Sequence, residues 1–468
     1  MSENSLQKAA SLISHIPASS KGSYPLRAGN YICPLVDGEP AFRRICEAVE
    51  AARHSVWVTV AFLAEDFEMP DGRGSLFDVL DRARSRGLDV RVIFWRLNEG
   101  NDFFEGDVFS GRAAHRAWLK ERGSSFHVRW DRAHKQYCQH QKSWLIDAGM
   151  PSEIAFVGGI NLNSPSVVSP GHAEGTDTTT HDVYAELRGP SATDVHHNFV
   201  QRWNEASERS FDDGAWPELA VQSDLPFPEV SSPEAGQAFV QVQRTVRAGT
   251  YTDGTATPEG KAFPVHEGEF SIFEQYLAAI DGAQSTIYIE DQSIGTPEVV
   301  GKLDAALSRG VDVVVLVPAD ANHFMVEARK SPKSKPFFDQ LAALGRHRNF
   351  ALVGIAAEGE DGVLRNVYVH AKIALIDDHW ATIGSCNIGA RSFFGDTELN
   401  VSFWAPDVVR QLRCDLLSEH LDRDTRELDD RAALKFYQAV ARQNAERQAR
   451  GEALQGLAFS MDPASYGA

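Results

Sequence analysis

The feature that most constrains this chain is a duplicated string. His140, one residue, Lys142, four residues and Asp147 return as His370, one residue, Lys372, four residues and Asp377. Each copy runs on into a pair of small residues and an asparagine, Gly158-Gly159-Ile160-Asn161 in the first and Gly384-Ser385-Cys386-Asn387 in the second. A single histidine and lysine two apart would be ordinary on any surface strand. Their return with the same trailing residues implies a unit used twice, with two histidines, two lysines and two asparagines brought face to face.

The repeat extends beyond these strings. In the first half the hydrophobic periodicity predicts a helix over 45–53, a buried strand over 55–62, a helix over 74–86 and a strand over 88–94. The second half repeats that order, with a helix over 270–280, a strand over 286–289, a helix over 297–309 and a strand over 311–317. Even the turns match, since Ser85-Arg86-Gly87 corresponds to Ser308-Arg309-Gly310, with glycine where a helix ends in a left-handed residue.

Strand, helix and strand joined by short turns imply parallel pairing through a right-handed crossover. The expected fold class is therefore α/β, with two pseudo-symmetric α/β/α domains, each a mixed and largely parallel sheet flanked by helices, and the active site at their interface. The expected ranges are 28–211 for the first domain, 212–235 for a linker rich in Pro, Ser, Asp and Glu, 236–425 for the second domain, and 426–468 for a charged surface helix (431–454) and a loose tail. The apolar runs 144–146 and 373–376 predict that the His and Lys of each string point to one face of a strand. A loop over 163–180, dense in Ser, Pro, Gly and Thr, is expected to leave the sheet over the active site.

Composition narrows the class. At 468 residues there is length for two domains, each with its own core, and the apolar and charged fractions are those of a soluble globular protein. A net charge of −19 argues against a non-specific nucleic-acid binder, which draws its affinity from neutralised phosphates. The five cysteines are scattered and lack CxxC spacing, so they read as reduced thiols, most of them buried, forming neither a disulfide framework nor a zinc site. Residues 1–27 lack the apolar core of a secretory signal and no stretch is long enough for a membrane span, so the expected location is cytoplasmic, although export without a cleaved signal would leave no trace.

Two histidines and two lysines describe a phosphate site that needs no metal or cofactor. One neutral imidazole can attack phosphorus while a second, protonated, donates to the leaving oxygen. Imidazole is the side chain whose ordinary pKa, about 6.5, lets two copies hold opposite protonation states near neutrality. The covalent phosphohistidine then requires water or an alcohol for release. Lys142 and Lys372 supply charge at the non-bridging oxygens, while Asn161, Asn387 and the Ser385 hydroxyl supply neutral donors. Asp182 and Glu398, downstream of the respective strings, are the candidate acidic partners that would orient each imidazole. Gln292 either lines the phosphate pocket or ends a strand. Among the other histidines, His196, His197, His323 and His379 read as packed or solvated; His172 stands out by its place in the loop after the first string. Phe199 and Trp203 read as one apolar helix face, and the basic stretch 330–335 as an exposed loop that can meet anionic headgroups.

These residues carry a family resemblance. The chain resembles the phospholipase D superfamily over residues 42–421, with both HKD motifs in one polypeptide. It is most similar to the phospholipase D enzymes proper through the block from Val367 to Asp377, Ile383 to Ser392 and Asp396-Thr397-Glu398. Further matches are 287–292, Gly189 to Asp194 leading to Phe199 and Arg202-Trp203-Asn204, 240–244 and Ser418-Glu419-His420-Leu421.

The resemblance implies hydrolysis of a glycerophospholipid headgroup bond to phosphatidic acid, with transphosphatidylation where an alcohol is the acceptor. It also implies His140 as nucleophile, His370 as general acid and structural roles for Asp147 and Asp377. The implied partners are a phospholipid, water or an alcohol, and a membrane met transiently and peripherally by a monomer. Two departures are visible: Gln141 stands where Ser is common, and Gly159 where Ser385 keeps a hydroxyl. A cardiolipin-synthase-like phosphatidyltransferase is the nearest alternative, although such relatives usually carry N-terminal membrane helices. A nuclease of the same superfamily fits the acidic charge poorly.

Overall fold

A computed structural model describes residues 15–97, 108–173, 179–207, 224–359 and 361–468. The first half runs β1 (Arg27–Val36), α1 (Gly38–Ala51), β2 (Ser55–Val60), α2 (Leu76–Ser85), β3 (Asp89–Trp95), α3 (Ala113–Arg122), β4 (His127–Asp131), β5 (Ser143–Ile146), β6 (Ile154–Gly158), β7 (Val183–Arg188) and α4 (Ala192–Glu205). The second half runs β8 (Ala238–Val246), α5 (Ser271–Gly282), β9 (Thr286–Asp291), α6 (Pro297–Ser308), β10 (Asp312–Leu316), α7 (His323–Lys330), α8 (Lys335–Leu344), β11 (Phe350–Glu358), β12 (Lys372–Ile376), β13 (Trp380–Gly384), β14 (Glu398–Trp404), α9 (Pro406–Leu421), α10 (Asp430–Ala449) and β15 (Ala458–Met461). The expected linker falls partly outside the described residues, and its remainder carries neither helix nor strand.

The duplication is complete at the level of pairing. The first sheet has the order β4-β3-β2-β5-β6-β7-β1, parallel over its first three strands and antiparallel thereafter. The second has β11-β10-β9-β12-β13-β14-β8 with the same senses. The two sheets join edge to edge where β1 runs antiparallel to β8, with Arg27 opposite Val240 and Asn30 opposite Ala238. The mixed α/β fold expected from the periodicity is the one observed, but the sheets are not largely parallel: four of the six pairings in each order are antiparallel, because only the helix-linked strands need a crossover.

Each half buries one face against its own helices, and a third apolar cluster is common to both. In it Val157, Ala185 and Leu187 of the first half lie with Ile383, Leu399 and Val401 of the second. The halves therefore share a core as well as an edge. Phe199 and Trp203 sit in that shared cluster on α4, which is the apolar face their spacing predicted. All five cysteines are free, and four of them are buried.

Several boundaries differ from expectation for local reasons. Helix α1 begins at Gly38, not residue 45, because Pro40 sits in its first turn, where a missing N–H costs nothing. The C-terminal helix is not a surface element with a loose tail behind it. Leu434, Tyr437 and Ala441 of α10 are buried in the shared cluster, and β15 pairs antiparallel with β11 at the outer edge of the second sheet. Within the 163–180 loop, Val168 O accepts from Glu39 N–H (3.0 Å) and Gly171 N–H donates to Glu419 (3.0 Å), Thr180 pairs with Tyr368 beside the His370 lead-in, and 174–178 lie outside the described residues.

Asp147 and Asp377 close the same turn in each half. Both have φ above +50°, and their carboxylates gather the backbone amides that lead into β2 and β9. Asp147 Oδ1 accepts from the N–H groups of Arg53, His54 and Ser55, while Asp377 accepts from those of Gln284, Ser285 and Thr286. Replacing either by Ala strands three amides, and the unfolding free energy should fall by about 2–4 kcal/mol, because hydrogen bonds to charged groups are the strong ones. Asn, which keeps an acceptor oxygen, should cost less. Urea midpoints check this, and Ala variants as stable as the parent would show that the clasp contributes nothing.

Candidate active site

Neither histidine lies on a strand of its sheet: His140 and Lys142 both precede β5, and His370 precedes β12, whose first residue is Lys372. β5 starts at Ser143 and β12 at Lys372, so each histidine occupies an extended lead-in. Each lead-in pairs with the opposite half. His140 N–H donates to Thr397 O (3.0 Å) beside a parallel bridge between Gln139 and Thr397. His370 N–H donates to His181 O (2.8 Å), where 368–369 run parallel to 180–181.

This exchange also swaps the acidic partners. Each carboxylate serves the imidazole of the other half: His140 Nδ1 lies 2.8 Å from Glu398 Oε2, and His370 Nδ1 lies 2.6 Å from Asp182 Oδ2. A carboxylate only accepts, so each Nδ1 carries a proton and each Nε2 is left as the basic nitrogen. Both imidazoles line one cavity of 400 Å³, together with Asn161, Asn387 and Gln292. A larger groove of 630 Å³ follows the join of the two sheets, but neither histidine nor lysine lines it.

The remaining candidates stand behind that wall. Lys142 Nζ donates to His140 O (3.0 Å) and Lys372 Nζ to His370 O, so each buried ammonium is curled against its own lead-in. Ser385 does not supply a hydroxyl to the cavity. It donates to Glu398 Oε2 (2.6 Å) and so positions the carboxylate instead.

The glycine at the matching place, Gly159, has a steric cause: a Cβ there would sit 2.5 Å from Asp182 Oδ1. Gln141 is also accounted for, since it donates to Glu398 O (3.1 Å) and accepts from Asn198 Nδ2 (2.8 Å), tying the first lead-in to α4. Asn161 and Asn387 each bury an Oδ1 that no donor reaches among the described residues.

Burial and the two ammonium groups set the protonation of the imidazoles. Burial, reinforced by Lys142 and Lys372, drives His140 well below its ordinary range, and burial with Lys372 brings His370 down to about 3. Burial also lowers Lys142 to about 8. Phe62 adds to the apolar surroundings of the first motif, its ring set edge-on to His140 with Lys142 Nζ 5.7 Å above it.

Sequence reasoning missed other contributors. Arg391 lines the cavity, held by Asp396 (2.8 Å), and Tyr368 stacks on His370 with ring centroids 6.3 Å apart. Behind Asp182 stands a buried cluster in which His181 bridges Asp37 (2.9 Å) and Glu290 (3.0 Å). Although burial disfavours its charge, these two carboxylates hold the His181 imidazole well above its usual range. Asp37, His172, His181 and Glu419 each bring a side-chain nitrogen or oxygen within 4.8 Å of the others in the same cluster. The sequence signals for this cluster were the position of His172 in the loop and the matching blocks that hold Glu290 and Glu419. Asp37 gives a second, conformational sign: it stands at the N-cap of α1 with φ 63° and leaves the helix uncapped, its carboxylate engaged by His181.

Comparison with known proteins agrees with this geometry. A family model described as "Cardiolipin synthase, PLD-like domain" matches residues 276–419, and one described as "Phospholipase D" matches 165–299. Phospholipase D alpha 2 of Oryza sativa subsp. japonica is 22% identical, covering 84% of this chain and 63% of that protein. Cardiolipin synthase A of Pseudomonas entomophila (strain L48) is 25% identical, covering 84% and 69%. The chain thus spans somewhat under two thirds of the rice enzyme. Among solved structures, phosphatidylserine synthase of Haemophilus influenzae Rd KW20 shares the fold with a TM-score of 0.57, at 12% identity over 85% of this chain and 87% of that one. The chain belongs to the phospholipase D superfamily.

A group whose pKa is depressed on folding gains its proton only as the pH falls toward the lowered value. His370, brought down to about 3, should therefore stay neutral from pH 8 to well below the ordinary histidine midpoint, and His140 should likewise gain its proton only below that midpoint. Histidine ¹⁵N NMR on the ligand-free protein checks this. Lys142→Ala should raise the midpoints of both rings, because that ammonium lowers each of them. A parent midpoint near 6.5 for both rings would contradict the electrostatics.

Proposed function

We propose that the protein is a phospholipase D that cleaves the headgroup phosphodiester of glycerophospholipids to phosphatidic acid and transfers the phosphatidyl group when an alcohol is present. The observation that carries this reading is the pair of imidazoles lining one cavity, each oriented through Nδ1 by a carboxylate of the opposite half. His140 Nε2 attacks phosphorus, and the bond to the headgroup oxygen breaks as His370 Nε2–H protonates it. His370, now neutral, takes a proton from water or an alcohol, whose oxygen displaces His140 from phosphorus and restores the site. Lys142, Lys372, Asn161 and Asn387 stabilise the charge on the non-bridging oxygens, and Gln292 lines the phosphate pocket.

The electrostatics fit such a cycle. With both imidazoles neutral in the empty site, the nucleophile is ready, while the acid lacks its proton. An anionic phosphodiester placed between the rings favours the imidazolium form of His370 against the two ammonium groups, so substrate binding itself arms the acid. A lipid substrate is supported by the apolar part of the cavity wall, where Phe62, Phe324, Met325 and Ala328 lie, with Phe324 54% exposed at the protein surface. The enzyme meets the membrane transiently, acts as a monomer because both motifs lie in one chain, and takes no nucleic acid. A cytoplasmic location belongs to the same proposal; among the described residues no helix is long and apolar enough to cross a membrane.

A second reading, phosphatidyl transfer between two phosphatidylglycerol molecules, is favoured by the likeness to cardiolipin synthases. One incubation separates the two. With phosphatidylcholine or phosphatidylethanolamine, a primary alcohol and a chelator, phosphatidic acid and phosphatidyl alcohol should form; cardiolipin arising only from phosphatidylglycerol would support the second reading. Turnover of DNA alone would remove both. His140→Ala and His370→Ala should each lower turnover by about 10³-fold or more, with unchanged thermal unfolding. Full activity in either variant would remove the mechanism.

A further inference from the structure

A second cavity of 520 Å³ adjoins the catalytic cavity. The two share Gln292, Asn322 and Phe324. This annex lies on the His370 side, because Tyr368 forms part of its wall, stands two residues before His370 and stacks on its imidazole. Gln292 Nε2 donates to the Tyr368 hydroxyl (2.7 Å), so the boundary between the two spaces is a fixed polar contact.

The chemistry of the annex differs from that of the site beside it. Arg391 lines the catalytic cavity, whereas neither lysine nor arginine lines the annex. Its anionic group is the exposed Asp320 carboxylate, steadied by a hydrogen bond from Asn366 Nδ2 (2.9 Å), and no cation pairs with it among the described residues. Around it stand the side-chain oxygens of Asn322 and Gln292 and the aromatic rings of Phe324 and Tyr368.

In-line displacement at phosphorus fixes where a headgroup must go. The nucleophile and the leaving oxygen lie on opposite sides of phosphorus, so a headgroup protonated by His370 extends past that ring, toward the annex. We propose that the annex is the headgroup subsite and that Asp320 selects headgroups bearing an ammonium group, of the ethanolamine or choline kind. This rests on the phospholipase D reading given above. A primary ammonium finds the carboxylate and amide oxygens as acceptors, and a quaternary ammonium finds the same carboxylate with the two aromatic faces. A neutral glycerol headgroup gains nothing from Asp320.

The test compares kcat/KM on phosphatidylethanolamine, phosphatidylcholine and phosphatidylglycerol of identical acyl chains in the same mixed micelles. The parent enzyme should favour one or both ammonium lipids over phosphatidylglycerol. Asp320→Asn should lower that ratio by about fivefold or more, and Asp320→Lys should lower it further. Loss confined to the ethanolamine or the choline lipid tells which ammonium is read, and either result supports the subsite. A ratio unchanged in both variants, or an equal fall on all three lipids, overturns it. If the parent enzyme turns over none of the three, the phospholipase D reading itself fails, an outcome distinct from an active enzyme with an insensitive ratio.

Discussion

The contact on which the rest depends is the hydrogen bond from each imidazole to the carboxylate of the opposite half. His140 reaches Glu398 and His370 reaches Asp182, so neither half holds a complete catalytic pair. For these bonds to form, both lead-ins must leave their own sheets and run along the other half, as the bridge between Gln139 and Thr397 and the pairing of 368–369 with 180–181 require. The shared apolar cluster and the edge pairing of β1 with β8 hold the halves in the one arrangement where both crossings close at once. A polar network of this kind tolerates little slack, since a buried carboxylate that loses its partner keeps its full desolvation cost.

The symmetry is not carried through to the side chains, and the differences are mechanically linked. In the second half a glutamate reaches across to His140, and Ser385 braces it through a 2.6 Å hydrogen bond. In the first half a shorter aspartate does the same work, lying so close to Gly159 that no side chain fits there. Carboxylate length and the neighbouring small residue therefore vary together. The cavity walls diverge too: the first half contributes Phe62, and the second contributes the polar Gln292 and Ser293 together with the apolar Phe324, Met325 and Ala328.

What the sequence made legible was local. Repeated periodicity located β2, α2 and β3 with their counterparts β9, α6 and β10, and the recurring strings pointed to His140, His370, Asn161 and Asn387, which line one cavity. Partner exchange was not legible, because nothing within a strand's own residues says which half will supply its neighbour. Ser385 was misread for the same reason: its hydroxyl has a nearer acceptor in Glu398, thirteen residues on in the chain but adjacent in the sheet. The strand at Ala458–Met461 escaped notice because, at four residues on an edge, it lacks any period to detect.

The buried cluster behind Asp182 explains why a site so rich in charge persists in the interior. Asp182 N–H lies 3.3 Å from Asp37 Oδ1, and Asp37 N–H donates to Asp182 O (2.8 Å), so the backbone of the residue that orients His370 is held at both ends by Asp37. Asp37 is itself fixed by His181, whose other nitrogen is taken by Glu290, and whose carbonyl accepts from His370 N–H and Ala371 N–H. His370 is thereby gripped through its ring by Asp182 and through its backbone by His181, two adjacent residues of which His181 ends a two-residue strand and Asp182 follows it. A charged His181 between two carboxylates neutralises much of the charge that would otherwise repel Asp182. The imidazole facing the cavity is thus held by a compensated ionic lattice, so it can exchange its proton while its position stays fixed.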